Sequence, residues 1–207
     1  MHEVLNAVDD SWDERSVVAR LRAGDADAFE ELVRRYGGRM LAVARRIVRD
    51  EEDARDVVQD ALLSAFRALD RFEGGAQVGT WLHRIVVNTA LMRLRTRRRH
   101  PEEPIEQLLP AFTEDGHHVD PADQQPFPDA LTERSELKAI VRDGVERLPA
   151  AYREVYLLRD VEEWSTEETA AALGITANAV KIRLHRARQA LVTIVRERYV
   201  TAPDRTR

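Results

Sequence analysis

Apolar residues in the N-terminal half of the chain recur every three or four positions, the spacing that places them on one face of an α-helix. One stripe occupies residues 29–47 and follows Asp25, a residue type that caps helix N-termini. A second stripe occupies residues 54–69, after an acidic first turn of the kind that the helix dipole favours. We expect Phe66 to face the core with this second stripe, and Leu63, which lies off it, to be exposed.

A third helix is predicted after the glycine-containing break at residues 72–76. It begins at Gly79 or Thr80 and ends at Arg97, and its C-terminal half is strongly basic. The residues expected to face inward are Leu82, Ile85, Val86 and Thr89.

The C-terminal half repeats the helical spacing after a proline-rich interval. Residues 137–148 form one stripe, and Pro149 starts a new helix in its first turn, where proline is tolerated. Six of the eight prolines lie between Pro101 and Pro128. Because proline removes a backbone donor and biases its neighbour to extended geometry, this interval is predicted to be a linker.

The stretch from Ser165 onward predicts a helix-turn-helix. Ser165 and Glu168 form a capping box, the pair that satisfies the first free amides of a helix. That helix ends at Gly174, which suits a left-handed turn, and Thr176 caps a last helix with Val180 facing inward. A plain helical hairpin is the alternative. The outward residues of the last helix, which in such motifs meet base edges and phosphates, are Asn178, Lys181, Ile182, His185, Arg186 and Arg188.

The predicted fold is therefore all-α, with two small helical domains joined by a Pro-rich acidic linker and a helix-turn-helix in the C-terminal domain. The linker is too long for an ordinary loop inside a compact domain. The predicted divisions are an acidic tail at 1–14, a first domain at 15–100, the linker at 101–132, a second domain at 133–200 and a tail at 201–207.

Charge is unevenly distributed along this chain, whose formal net charge is −5. Residues 81–100 contain six arginines and no acidic residue, and residues 178–198 contain six basic residues and one acidic residue. Residues 101–136, in contrast, contain ten acidic residues and one basic residue. Two separate basic blocks in an acidic protein indicate two localised nucleic-acid interfaces, with solvated helix faces as the alternative for either block alone.

Several classes of function are excluded by composition and motif. The chain has no cysteine, which excludes disulfides, zinc knuckles and thiol catalysis. No apolar run is long enough to cross a bilayer and the N-terminus is acidic, so we expect a cytoplasmic protein without membrane insertion. Phosphate-binding loops, nucleophile elbows and zinc-protease motifs are absent, so we expect no enzymatic activity and no cofactor.

A metalloenzyme is the one enzymatic alternative that the residues leave open. Its ligands would be His117, His118, Asp120 and Asp123. Adjacent histidines point in different directions, and a proline-rich linker offers no rigid scaffold for a metal, which disfavours this interpretation.

Four blocks of sequence, in order, resemble the extracytoplasmic-function (ECF) sigma factors of bacterial RNA polymerase. The first two are Asp56-Val57-Val58-Gln59-Asp60-Ala61, continuing to Phe72, and Thr80-Trp81-Leu82-His83-Arg84-Ile85-Val86-Val87-Asn88-Thr89-Ala90. The third block consists of Leu148 to Val155 followed by Glu167-Glu168-Thr169-Ala170-Ala171-Ala172-Leu173-Gly174. The fourth block is Ala179-Val180-Lys181-Ile182-Arg183-Leu184-His185-Arg186-Ala187-Arg188. The resemblance covers about residues 20–100 and 133–198.

The resemblance implies a factor that confers promoter recognition on core RNA polymerase and has no enzymatic activity of its own. Residues 15–100 would be sigma domain 2 and residues 133–200 sigma domain 4. The implied partners are core RNA polymerase, through its clamp and flap regions, promoter DNA and an anti-sigma factor. The residues implied to dock on the polymerase are Asp56, Gln59, Asp60 and Leu63, with a solvated amphipathic helix as the alternative.

In the family, the loop before the third helix forms a pocket for a base flipped out of the minus-ten element, and here that loop is residues 72–79. The residues implied to contact this element are Arg84, Asn88, Arg93, Arg95, Arg97 and Arg98. Trp81 either stacks on a base or packs into the core, and we favour core packing. The family's linker threads toward the RNA exit path, so the acidic residues 101–136 would mimic RNA, held extended by prolines; a passive tether is the alternative.

A one-component transcription regulator, with a helix-turn-helix and a helical sensor domain, is the alternative function. It accounts for residues 165–198 but gives the basic block at 81–100 no purpose. We therefore predict an ECF sigma factor that recognises the minus-thirty-five and minus-ten elements and aids promoter melting.

Overall fold

The computed structural model describes residues 13–72, 77–97, 104–109 and 134–201. These residues form helices and helical turns with no strand among them, which confirms the predicted all-α class. By its internal contacts the chain divides into two compact units, Met1–Arg98 and Arg99–Arg207.

The N-terminal unit is built around a long helix pair and the helix that follows it. Its elements are α1 (Glu14–Arg22), α2 (Ala26–Val48), α3 (Glu51–Ala68), a 3₁₀ turn (Leu69–Arg71) and α4 (Val78–Arg97). Helices α2, α3 and α4 pack against one another, and α1 packs against α2. Most of the predicted stripe residues are buried, among them Met40, Val43, Ala44, Ile47, Ala54, Val57, Ala61, Leu82 and Val86.

Short acidic side chains fix the starts of α2 and α3. Asp25 Oδ1 accepts hydrogen bonds from the backbone N–H groups of Asp27 (2.9 Å) and Ala28 (3.3 Å), which confirms its predicted capping role. Asp50 caps α3 by accepting a hydrogen bond from the Asp53 N–H at 2.9 Å. Each cap satisfies an amide that has no partner inside the helix and contributes about 1 kcal/mol.

Helix α1 has no counterpart in the sequence prediction. Its buried residues are Val17, Val18 and Leu21, which anchor a helix of nine residues. Three apolar positions within so short a segment do not establish a helical period, so the pattern could not reveal it.

The prediction that Phe66 faces the core is wrong. Its side chain is 54% exposed, beside Leu63, which is 49% exposed as expected. The Phe66 ring contacts Phe29 edge-on, with 6.3 Å between ring centroids. The small buried residues Ala61 and Ala65 bring α3 close to its neighbours, so a ring on this side of the helix fits only at the margin.

The C-terminal unit is arranged around its last helix. Its helices are α5 (Arg134–Arg147), α6 (Ala150–Tyr156), which continues as a π turn (Leu157–Val161), α7 (Thr166–Leu173) and α8 (Ala177–Thr201). Helix α8 packs against α5, α6 and α7. The main apolar cluster of this unit contains Val145, Leu148, Leu157, Ala187, Ala190, Leu191 and Ile194.

The first part of the predicted linker is docked on the C-terminal unit. Ile105–Leu108 form a 3₁₀ turn, and Ile105, only 1% exposed, lies in the main cluster with Leu108 and Leu109 packed against it. The expectation that prolines hold the linker extended is therefore wrong for this turn, because docking buries Ile105 and partly buries Leu108 and Leu109. The remaining segment at 110–133, with His117, His118, Asp120 and Asp123, lies outside the described residues.

Two further properties concern the ranges that the structure describes. None of their helices combines the length and apolarity that crossing a membrane requires. No group of three or more histidine, aspartate or glutamate side chains within these ranges is placed to hold a metal ion.

Candidate nucleic-acid interfaces

The turn between α7 and α8 has the geometry that the sequence predicts for a helix-turn-helix. Ser165 Oγ accepts a hydrogen bond from the Glu168 N–H at 3.0 Å, and Glu168 Oε2 accepts one from the Ser165 N–H at 2.9 Å. Gly174 has a φ of 67°, in the left-handed region that favours glycine. The Ile175 N–H donates to the Ala170 carbonyl at 3.1 Å and closes the turn. The capping box and the glycine turn are both confirmed.

Apolar contacts fix the rotation of α8 about its own axis. Val180 and Leu184 are buried with Val155 of α6, and Ala170, Leu173 and Ile175 pack against this cluster. Thr176 Oγ1 accepts a hydrogen bond from the Ala179 N–H at 3.1 Å, so the helix also has a defined start. With one face held in this way, the opposite face of α8 is directed to solvent.

That outer face carries most of the residues predicted to contact the minus-thirty-five element. Asn178, Lys181, Ile182 and His185 are exposed and lie three or four positions apart, on one side of the helix. Ile182, which is 49% exposed, is the apolar member of this polar face. Base edges with methyl groups, such as thymine, are the chemistry that such a side chain contacts in a major groove.

The two arginines farther along α8 have acidic neighbours. Arg188 donates two hydrogen bonds to Asp160, at 2.8 and 2.6 Å, which raise the pKa of Arg188 above its ordinary value. Arg186 lies 3.5 Å from Glu106 of the docked 3₁₀ turn, in a pair whose side chains are 42% and 65% exposed. A pair this exposed contributes at most about 1 kcal/mol, so Arg186 can exchange Glu106 for another acceptor.

Helix α4 presents a second polar face in the N-terminal unit. Arg84, Asn88 and Arg95 are exposed and are separated by four and seven positions, which places them along one stripe. Met92, four positions after Asn88, belongs to the same stripe and is 61% exposed. The stripe therefore combines an amide, two guanidinium groups and one apolar side chain. The side chain of Arg97 and the whole of Arg98 lie outside the described residues.

Arg93 does not lie on this stripe. Its guanidinium pairs with Asp53 at 2.9 Å and with Asp56 at 2.7 Å, and these bonds raise the pKa of Arg93. Asp56, predicted to dock on polymerase, and Arg93, predicted to contact DNA, are thus joined to each other across α3 and α4.

Both ends of the loop between α3 and α4 are anchored by packing. Phe72 is 8% exposed, and its ring lies 4.9 Å from that of Trp81 between centroids. Val78, on the other side of the loop, is 1% exposed. Trp81 is half-buried against Phe72, which agrees with the favoured interpretation that this residue packs into the core.

The exposed face of α3 combines polar and apolar side chains. Gln59, Asp60 and Leu63 of the predicted docking set are exposed, and Asp56 is half-buried beside Arg93. Phe66, one helical turn after Leu63, extends the apolar part of this face. Together, Leu63 and Phe66 give this face an apolar part that is available for contact with a partner.

Two family descriptions match separate parts of the chain: Sigma-70 region 2 over residues 32–100, and Sigma-70 region 4 over residues 138–191. The ECF RNA polymerase sigma factor SigM of Mycobacterium tuberculosis is 37% identical over 173 residues, which cover 84% of this chain and 80% of SigM. The chain belongs to the ECF sigma factors. The sigma-E factor of Escherichia coli is 36% identical over 176 residues, covering 84% of this chain and 90% of sigma-E.

A solved complex resembles most of the chain. The structure of CnrH in complex with the cytosolic domain of CnrY has a TM-score of 0.50 and 28% identity to this ECF sigma factor, covering 88% of this chain and 96% of the other. The region 4 match includes most of α5, all of α6 and α7, and more than half of α8, and the region 2 match includes α3, α4 and most of α2. Helix α1 lies before the region 2 match.

Two surface residues of this sigma factor were absent from the predicted sites. Met92 shares the face of Asn88, and Phe66 shares the face of Leu63. Both could have been found from helical spacing, because Met92 follows the predicted residue Asn88 by four positions and Phe66 follows Leu63 by three.

Proposed function

We propose that this ECF sigma factor binds core RNA polymerase and directs it to promoters by reading the minus-thirty-five element with α8 and the minus-ten element with α4. The observation that carries the proposal is that each compact unit has its own exposed helix face made of DNA-contacting residue types. A one-component regulator needs only the helix-turn-helix and leaves the α4 face without a role. The proposed activity is recognition and melting, with catalysis left to the polymerase in the cytoplasm.

Recognition of the minus-thirty-five element is assigned to the outer face of α8. Asn178 and Lys181 lie near the start of the helix, the part that reaches base edges when such a helix enters the major groove. Arg186 can make a bidentate contact to guanine, which discriminates by about 1–3 kcal/mol. Arg188 is assigned no base contact, because Asp160 already accepts from its guanidinium edge.

Opening of the minus-ten element is assigned to the exposed stripe of α4. Extruding a base costs a few kcal/mol, which contacts to the extruded base must offset. Asn88 suits this purpose because its amide both donates and accepts hydrogen bonds. Met92 offers a polarisable apolar contact for a base face, and Arg95 lies within the same stripe for a phosphate.

Binding of the polymerase is assigned to the outer face of α3. Burial of Leu63 and Phe66 would supply the apolar part of the interface, at about 25 cal/mol for each Å² removed from water. Gln59 and Asp60 would supply polar contacts and steer the helix toward a basic surface. Asp56 is assigned to the ion pair with Arg93 instead.

An anti-sigma factor is the proposed regulator. CnrH, the structural relative described above, was solved in complex with the cytosolic domain of CnrY. We extend this arrangement to the present chain and expect a partner that covers the α3 or α8 face until a signal releases it.

In vitro transcription tests the proposal directly. Core RNA polymerase with the purified chain should initiate at discrete sites on a library of genomic fragments, and these sites should share two short motifs separated by a constant spacing. The free chain should bind the same fragments weakly, because each basic face is small. Tight, sequence-specific binding by the free chain, with no initiation by the mixture, would favour the one-component regulator.

A further inference from the structure

Helix α1 contacts both ends of the loop that separates α3 from α4. At its first residue, Glu14 Oε1 accepts a hydrogen bond from the backbone N–H of Val78 at 2.6 Å. At its last residue, the Arg22 guanidinium donates to the carbonyl oxygens of Leu69, at 3.4 Å, and of Phe72. One helix of nine residues thus bridges the end of one helical segment and the start of the next.

The contact to Val78 caps the start of α4 with a side chain from a distant part of the sequence. The Trp81 N–H donates to the Gln77 carbonyl at 3.0 Å, so α4 begins directly after Gln77. The first amides of a helix have no partner within it, and glutamine is not among the residue types that cap them well. The Glu14 carboxylate fills this role from 64 positions away in the sequence, at the helix end where the dipole favours negative charge.

Arg22 contacts the C-terminal end of a helix, whereas Glu14 contacts the N-terminal end of another. The Leu69 carbonyl lies in the 3₁₀ turn that closes α3 and also accepts from the Phe72 N–H at 3.1 Å, and Phe72 is the residue that follows this turn. Carbonyl groups at the C-terminal end of a helix are the acceptors that a side-chain donor from another element can reach. A cation is favoured at this end by the dipole, and a guanidinium can donate to two acceptors at once. The two ends of α1 therefore match the two helix ends in charge and in hydrogen-bonding type.

A rigid helix between these contacts fixes their separation. Glu14 and Arg22 are eight residues apart, a rise of about 12 Å along an α-helix. The first turn of α4 is also held from the side of α2, because a Cβ on Gly79 would lie 2.9 Å from Cε1 of Tyr36. The start of α4 is therefore constrained by two separate elements, α1 and α2.

We propose that Glu14 and Arg22 are positioning residues for minus-ten recognition, which rests on the role given above to α4. Helix α1 binds the backbone at Phe72 and at Val78 and so fixes the position from which α4 presents its exposed stripe to the bases. Selectivity at the minus-ten element then depends on a segment outside the region 2 match. Neither residue touches DNA in this proposal, and each acts through the backbone that it binds.

The test separates the reach of the Glu14 side chain from its charge. Glu14→Asp keeps the acid in the first turn of α1 but shortens the side chain by one methylene, whereas Glu14→Gln keeps the reach and an acceptor oxygen. Arg15→Ala, an exposed position on the same helix, is the matched control. Amide hydrogen exchange at Val78 is measured in the free chain, and open-complex formation by holoenzyme is measured on promoters that differ in one minus-ten base.

Glu14→Asp should speed exchange at Val78 by about tenfold and lower the ratio of open complex between the matched and mismatched promoters by a similar factor. Glu14→Gln, which keeps the hydrogen bond but loses the charge that the helix dipole favours, should change both less than Glu14→Asp does, and Arg15→Ala should retain both. An unchanged ratio for Glu14→Asp, or an equal loss for Arg15→Ala, would overturn the proposal. Should Glu14→Asp fail to fold, Arg22→Gln decides, because it removes the two carbonyl contacts at the other end of α1 and should lower the same ratio.

The two proposals fail in different ways. If wild-type chain with core polymerase forms no open complex on any promoter, the proposed function is wrong, and the exchange measurement still reports whether Glu14 caps α4. If wild-type holoenzyme discriminates between the promoters and Glu14→Asp does so equally well, the function stands and the positioning role is wrong.

Discussion

The Arg93 guanidinium donates hydrogen bonds at 3.1 and 2.9 Å to one carboxylate oxygen of Asp53, a side chain from 40 positions earlier that is almost fully buried. A third bond, at 2.7 Å, goes to Asp56. These contacts tie the first turn of α3 to the C-terminal half of α4. Arg93, although it belongs to the basic block, therefore stabilises the fold and is not available to bind a phosphate.

Replacing Arg93 should therefore affect stability more than DNA binding. We expect Arg93→Ala to lower the free energy of unfolding of the N-terminal unit by about 1–3 kcal/mol, because the buried carboxylate of Asp53 loses its cation. Arg95→Ala, two positions away on the exposed stripe, should leave the melting temperature unchanged and weaken the salt dependence of promoter binding by holoenzyme. Thermal melting by circular dichroism and salt titrations distinguish the two. Equal melting temperatures for both variants would contradict the structural role of Arg93.

The two DNA elements should respond to different substitutions. Arg186→Ala should weaken closed-complex binding by about tenfold, because a base contact is lost. Asn88→Ala should bind near normally but open the promoter slowly, because its contact exists only with an extruded base. Permanganate footprinting on duplex and pre-melted templates reads both effects, and the pre-melted template should partly rescue Asn88→Ala. Rescue of Arg186→Ala alone would show that the roles of the two units are assigned the wrong way round.

Polymerase binding should depend on one exposed aliphatic residue and not on another of equal exposure. Leu63 of α3 and Ile182 of α8 are both 49% exposed. Leu63→Ala, like the double substitution of Gln59 and Asp60 by Ala, should weaken association with core polymerase measured by fluorescence anisotropy, without lowering the melting temperature. Ile182→Ala should retain core affinity. If both variants bind core as the wild type does, α3 is not the docking helix.

Removal of the Ile105 side chain should destabilise the C-terminal unit. Ile105→Ala should lower its free energy of unfolding by about 2–4 kcal/mol, the range for truncating a fully buried isoleucine. Gln107→Ala, an exposed neighbour in the same turn, serves as the control. Urea denaturation monitored by circular dichroism measures the difference, and equal stability of the two variants would mean that the turn is not docked in solution.

Protonation of Asp25 at low pH should lower the stability of the N-terminal unit, because Asp25 caps α2 and pairs with Arg20. Arg20 donates to Asp25 Oδ2 at 2.7 Å, and together with the amides of Ala28 and Asp27 this bond lowers the pKa of Asp25. A group whose folded pKa is lowered stabilises the fold above its unfolded pKa and loses that contribution as pH falls toward the folded value. The melting temperature of the wild type should therefore fall more steeply below about pH 4 than that of Asp25→Asn, which still caps the helix. Parallel profiles for the two proteins would refute this assignment.

Local chemistry explains why much of the C-terminal unit could be predicted from sequence. Ser165, Glu168 and Gly174 each satisfy a requirement set within a few residues, so the capping box and the left-handed turn were readable without a structure. The roles of individual DNA-contacting residues stay predictions, since exposure places a side chain on a face but does not name its ligand.

The features that escaped prediction depend on contacts between distant segments. Arg93 is one of several arginines in a basic run, and only the position of Asp53 in the folded chain sets it apart. Ile105 lies among prolines and acids that indicate a linker, and the apolar cluster that receives it is built mainly from residues 145–194. Glu14 caps a helix that begins 64 positions later, beyond the range of any local pattern.

Docking of Ile105 also sets the length of chain that connects the two units. Between the last residue of α4, Arg97, and Pro104 lie six residues, which can span at most about 20 Å when fully extended. Were the turn at Ile105 to detach, 36 residues would separate Arg97 from Arg134, with a maximum reach of about 120 Å. Docking of Ile105, with Leu108 and Leu109 packed beside it, thus shortens the maximum reach of the connecting chain about sixfold.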